Sequence, residues 1–126
     1  MRNYIYLIIL LATIISCTDK KEQNLGNTIY VSIEPLRYFA EQIGGDKFNV
    51  KSLVRHGSSP ETYEPTAEQI AELSKCCMYI KVGNLGFEQT WLKRIMKNAP
   101  HTIINSASDG ISEVNSANGI PDPHTW

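Results

Sequence analysis

The sequence predicts an α/β fold, a parallel sheet flanked by helices. Three observations lead there. Runs of β-branched and aromatic residues alternate with segments whose apolar residues recur at helical spacing. Strand, helix and strand follow one another between Thr28 and Val54, a βαβ unit whose two strands must run parallel. Glycine and proline fall at the element boundaries, where backbone freedom or a missing N–H is tolerated.

Thr28 to Ile33 (TIYVSI) reads as the first strand. Glu34-Pro35 opens a helix, with proline suited to its first turn. Leu36, Phe39, Ala40 and Ile43 form one apolar stripe predicted to face inward, and Gly44-Gly45 ends the helix. Phe48 to Val54 (FNVKSLV) is the second strand. His56 to Pro65 is a loop. Thr66 then fits an N-cap and Gln69 completes a capping box, starting a helix to about Lys75 with Ala67, Ile70 and Leu73 inward. Cys77 to Val82 is a third strand, apolar enough to be buried on both faces. Gly83 to Gly86 makes a turn, and Phe87 to about Asn98 a helix whose Phe87, Trp91 and Ile95 repeat every four residues. Ala99-Pro100 stops it, His101 to Ile104 is a short fourth strand, and Asp109 to Pro121 is polar and turn-rich.

With 126 residues the chain has room for one modest domain. Its 12 Lys+Arg nearly balance 13 Asp+Glu, so it lacks the basic excess of a general nucleic-acid binder, and no nucleic-acid partner is expected. The first residues are not expected to join the fold. Arg2 precedes an apolar run from Tyr4 to Ile15, shorter than the roughly 20 residues that span a bilayer. A short apolar stretch behind a positive start reads as a secretory signal over residues 1–16. The run ends Ile14-Ile15-Ser16-Cys17, which resembles the lipobox of bacterial lipoproteins. That resemblance implies cleavage before Cys17 and lipid on its thiol, attaching the chain to the bilayer on the extracytoplasmic side. Residues 17–27 are polar and without apolar period, a tether between membrane and domain. Cys76 and Cys77 open an apolar run, so they read as core thiols rather than a soft-metal pair.

Two stretches could carry chemistry. In Ser58 to Thr66 (SSPETYEPT), Pro60 and Pro65 bracket Glu61, Tyr63 and Glu64, giving a stiff acidic loop after the second strand. In Asp122-Pro123-His124-Thr125-Trp126, an imidazole sits two residues from a carboxylate that could orient it toward a metal. Ligands of parallel α/β folds lie at the carboxyl ends of the strands, and both stretches follow strands there. His56 lies beside Arg55, and His101 is placed at a strand start. No nucleophile elbow, P-loop or dinucleotide fingerprint is present. Glu61 and Glu64 could form the acid–base pair of a hydrolase, but their spacing alone does not bring them around a substrate.

Taken in order, TIYVSI–EPLRYFAEQIGGD, Pro60-Glu61-Thr62-Tyr63-Glu64-Pro65-Thr66, GNLGFEQTW at 83–91 and the closing DPHTW resemble the metal-binding lipoproteins that serve ABC transporters for zinc or manganese. The resemblance covers residues 28–126 and implies the N-terminal lobe of a two-lobed fold, ending before the inter-lobe helix. It implies a metal cargo, zinc with manganese or iron as alternatives, passed to an ABC permease from the bacterial envelope, and no enzymatic activity. His124 matches the family's second ligand. The first is usually histidine in a PHxYEPT loop, and Glu61 stands in its place. A glutamate oxygen can bind zinc, and its harder donor moves preference toward manganese or iron; alternatively Glu61 caps the loop. Two ligands on one lobe do not close a tetrahedral site, so weak binding or none is expected of residues 28–126 alone, as for a fragment of a longer protein. The competing expectation is an adhesin-like envelope lipoprotein that acts as an interaction module without metal.

Overall fold

The computed structural model describes residues 26–112 together with 114, 115, 118, 119, 122, 124 and 126. The expected signal segment, Cys17 and the expected tether up to residue 25 lie outside the described residues. In order come β1 (Thr28–Val31), α1 (Glu34–Gly44), a 3₁₀ turn (Gly45–Lys47), β2 (Asn49–Ser52), α2 (Ala67–Leu73) and β3 (Met78–Lys81). A π-helical turn (Glu88–Leu92) then runs into α3 (Lys93–Lys97), followed by β4 (Ile103–Ser106). The four strands form one sheet in the order β2-β1-β3-β4, all parallel. The expected α/β architecture is therefore what the chain forms.

The strand order fixes where a site can be. From β1 the chain steps outward to β2, then returns past β1 to β3. Right-handed crossovers in opposite directions put α1 and α2 on opposite faces. The order reverses between β1 and β3, and in open parallel sheets ligands bind at the carboxyl ends of the strands at such a switch point. Register is Ile29 with Val50 and Met78, and Tyr79 with Ile104.

The core fills both faces of the sheet. Val31, Leu53, Leu73 and Tyr79 have no exposed surface, and Phe87 and Ile95 almost none. Burial of one such side chain contributes about 1.5–3 kcal/mol. Cys76 is fully buried and Cys77 half-buried, both as free thiols. Burial pushes the Cys76 thiol above its ordinary pKa, which keeps it protonated and inert.

Helix α2 starts as its sequence demands. Thr66 Oγ1 accepts the Gln69 N–H at 3.2 Å, and Gln69 Oε1 accepts the Thr66 N–H at 3.0 Å. Helix α1 departs from expectation. Leu36 and Ala40 meet the sheet, but Phe39 is 53% exposed and Ile43 88%. Strands of four residues span about 13 Å, whereas eleven helical residues span about 16 Å, so the last turn runs past the sheet. Gly45 closes this helix in the left-handed region, with φ 55°, donating its N–H to Glu41 O. Ala67 is likewise exposed rather than inward, leaving Leu73 buried and Ile70 partly buried on α2. Strand β4 begins two residues later than expected, because His101 and Thr102 belong to the preceding turn.

Candidate functional site

The loop from Arg55 to Thr66 leaves β2 and returns over the end of β3. Its hydrogen bonds show that path. Phe87 N–H donates to Pro60 O at 3.4 Å, and Gly86 N–H donates to Glu61 Oε2 at 3.2 Å. The Ser58–Thr66 stretch thus lies beside the turn after β3, on the carboxyl edge of the sheet. Tyr63 supports it from within. Its ring stacks edge-on against Phe87 at 6.1 Å, and its hydroxyl donates to Gln69 Oε1 at 3.0 Å. Gln69 Nε2 in turn donates to Leu53 O at 2.8 Å, tying the loop back to the end of β2. Pro65 is buried and Pro60 half-buried, while Glu61 and Glu64 are exposed. The two prolines and Tyr63 shape the loop; the two carboxylates are its solvent-facing groups.

Glu61 has a close neighbour. A methyl group built on Gly86 would lie 2.5 Å from Glu61 O and 2.9 Å from its Oε2. Only glycine lets the turn approach this near. One oxygen of Glu61 is held by the Gly86 N–H, at the start of the helical segment leading to α3. A carboxylate is favoured there by the helix dipole.

His124 is exposed, and Asp122 orients it. The His124 N–H donates to Asp122 Oδ1 at 2.9 Å, and Nδ1 of the ring lies 2.9 Å from the same oxygen. An ionised carboxylate only accepts, so the ring proton sits on Nδ1 and the Nε2 lone pair is left for a ligand. The His124 backbone N–H and then its ring hold the Asp122 carboxyl below its usual pKa. Trp126 packs against the core and so anchors the end of this stretch. Pro123 and Thr125 lie outside the described residues.

Among the described residues no hydrogen bond or ion pair joins Glu61 to His124, and no group of three His, Cys, Asp and Glu side chains gathers as a metal site. Cys17, the third residue singled out, lies outside the described residues.

One cluster escaped sequence reasoning. Glu88 is only 4% exposed, at the carboxyl ends of β1 and β3. Its Oε1 accepts the Val82 N–H at 2.8 Å and the Ser32 hydroxyl, and its Oε2 accepts the Gly83 N–H at 2.7 Å. Ser32 Oγ lies 2.8 Å from Tyr79 Oη. The faint signal was a serine inside the apolar run TIYVSI and an acid next to inward-facing Phe87.

Residues 29–126 match the family profile described as zinc-uptake complex component A periplasmic (ZnuA). The chain is 25% identical, over 95% of its length and 43% of the relative's, to metal ABC transporter substrate-binding lipoprotein SsaB of Streptococcus sanguinis. It is 34% identical to iron ABC transporter substrate-binding lipoprotein MtsA of Streptococcus pyogenes serotype M1, over 67% of this chain and 30% of that one. A crystal structure of ZnuA superposes with TM-score 0.71 and 39% identity, covering 79% of this chain and 38% of that one. The chain spans less than half the length of each of these proteins.

Proposed function

Because the chain belongs to the zinc-uptake complex component A periplasmic family, we propose that it is the metal-capturing part of an ABC importer, working outside the cytoplasm and handing a transition-metal ion to a membrane permease. Residues 28–126 would form the N-terminal lobe of a two-lobed protein, which fits a chain spanning less than half of its relatives' lengths. The relatives' names speak of metal transport, in one case of iron, and of lipoproteins. The proposal assigns no catalysis to the chain.

The observation that carries the reading is the Asp122–His124 pair. A carboxylate on Nδ1 fixes the tautomer, raises the basicity of Nε2 and presents it outward, as ligating histidines require. Glu61 is the second proposed ligand, with Oε1 free of the Gly86 contact. An oxygen donor where relatives of this kind place nitrogen favours a harder ion, so manganese or iron competes with zinc. The remaining ligands would come from the other lobe.

Titration calorimetry of the two-lobed protein with zinc and with manganese tests this, since both lobes are needed to close the site. Substituting His124→Ala is expected to abolish measurable binding, and Glu61→His to raise the preference for zinc. Affinity unchanged by His124→Ala would remove the assignment. Lipid attachment at Cys17 would keep the protein at the membrane through residues 17–27. Cys17→Ser is expected to release it from the detergent phase of a phase-partition assay into the aqueous phase; retention in the detergent phase would exclude the anchor.

A further inference from the structure

The buried Glu88 carboxylate has no part in the ligand set proposed above, yet it is built in with care. Among the described residues no Lys, Arg or His pairs with it. Burying an unpaired carboxylate is costly unless hydrogen bonds replace its water. Here three donors do so: the Val82 N–H, the Gly83 N–H and the Ser32 hydroxyl, with Tyr79 Oη behind the last. Two of these donors are main-chain groups at the first residues after β3.

Their location gives the cluster its meaning. Val82 and Gly83 begin the turn whose far end is Gly86 and Phe87. Those two residues donate to Glu61 Oε2 and Pro60 O. Glu88 follows directly, at the opening of the π-helical turn. Its side chain therefore reaches back across the turn and grips the start, while the main chain just before it grips the candidate metal loop. Thr90 Oγ1 also donates to Gly86 O at 3.0 Å, competing for a carbonyl that an ordinary α-turn would engage. π-Helical turns are often found at functional sites. The turn is clamped at both ends, and the clamp faces the switch point of the sheet.

We propose that Glu88 is a positioning residue for the metal loop. By holding the Val82 and Gly83 N–H groups, it sets where the Gly86 N–H stands, and so how Glu61 is presented to the ion. Glutamine at 88 keeps the shape but turns one acceptor into a donor, which faces a main-chain N–H. The turn must then shift, and Glu61 shifts with it. The inference rests on the metal-binding reading for its consequence, but its geometric part can be read without metal.

Two measurements test it, the first on this chain and the second with both lobes present. The first is the Gly86 amide proton resonance of the metal-free protein. Glu88→Gln is expected to move it in the same direction as Glu61→Ala, with the amides of Ile29 and Tyr79 inside the sheet unmoved. A Gly86 resonance at its wild-type position in folded Glu88→Gln protein overturns the proposal. The second is titration of the two-lobed protein with zinc and with manganese. Glu88→Gln is expected to weaken binding about tenfold, as outer-shell changes do. In the Glu61→Ala background it should weaken binding no further, a coupling that a merely stabilising residue would not show. Equal losses in both backgrounds overturn the proposal. Should Glu88→Gln not fold, Ser32→Ala, which removes one donor and leaves the carboxylate, is expected to shift Gly86 in the same direction, and its failure to do so counts equally against it. A two-lobed wild-type protein that binds neither ion would remove the reading under Proposed function, and the amide shift alone would then decide the positioning role.

Discussion

Gly86→Ala is the sharpest probe of how the acidic loop meets the turn after β3. Gly86 does not use a left-handed backbone, so alanine brings no torsional strain. On propensity alone it would stabilise the helical start, by up to about 1 kcal/mol. Sterics oppose this. The new methyl would sit 2.5 Å from Glu61 O, whereas ordinary contact begins at 3.4 Å, so the two segments must part by the 0.9 Å difference. The obstructing atom is main chain, in a loop stiffened by Pro60, held by Tyr63 and closed by the Thr66 cap. Overpacking of this kind costs about 1–3 kcal/mol, so against that gain the net change is a loss of up to about 2 kcal/mol. For a domain of this size each kcal/mol lowers Tm by about 4–8 °C. Thermal and urea unfolding, followed through the fluorescence of Trp91 and Trp126, measure it. The second arm is more telling. Glu61→Ala removes the carboxylate at 2.9 Å but leaves the carbonyl at 2.5 Å, so it should not rescue Gly86→Ala. A stabilising Gly86→Ala, or full rescue by Glu61→Ala, would refute the placement of the loop against the turn.

Two further outcomes follow from local chemistry. Thr66→Ala removes the acceptor for the Gln69 N–H and half of the capping box, in a helix of only seven residues; a loss of about 0.5–2 kcal/mol is expected by urea denaturation. Glu72 accepts from the Tyr30 hydroxyl and from Lys51, in that order of effect, and its carboxyl is held below the ordinary 4.5. A lowered folded value means that its contribution is present above the unfolded value and is lost as pH falls through the folded one. Acid unfolding should therefore be less steep in Glu72→Gln than in the wild type at pH below about 4.5, and coincident acid limbs would contradict the pairing.

Much of the fold was legible because it depends on local rules. The βαβ unit, the Gly44-Gly45 stop and the Thr66–Gln69 capping box are statements about neighbours in sequence, and each is present. What the periodicity of α1 could not tell was how much sheet there would be to cover. Phe39 and Ile43 fit the helical stripe, yet strands of only four residues leave them exposed. The same limit applies to Ala67: a hydrophobic period names a face, and the neighbouring element decides how far that face is buried.

The site divides along the same line. Asp122 and His124 are two residues apart, so their hydrogen bond could be anticipated from the chain alone. Glu88 could not be found this way, because its partners come from 6 residues away at Val82 and 56 away at Ser32. Only the order β2-β1-β3-β4 brings the end of β1 beside the end of β3 and makes one carboxylate serve both. Glu61 lies between these cases. Sequence offered it as either a metal ligand or a loop cap, and the structure gives it a cap contact through one oxygen while the other stays free. The two roles are therefore compatible. A carboxylate has two oxygens, and a glutamate pinned through one of them is better oriented as a ligand than a free one, having less rotamer freedom to lose on binding. Imidazole at this position could donate its second nitrogen but could not accept the Gly86 N–H while binding metal, since its only lone pair would go to the ion. The glutamate thus suits this turn in a way that the usual histidine would not, which makes Glu61→His a change of loop support as well as of metal preference.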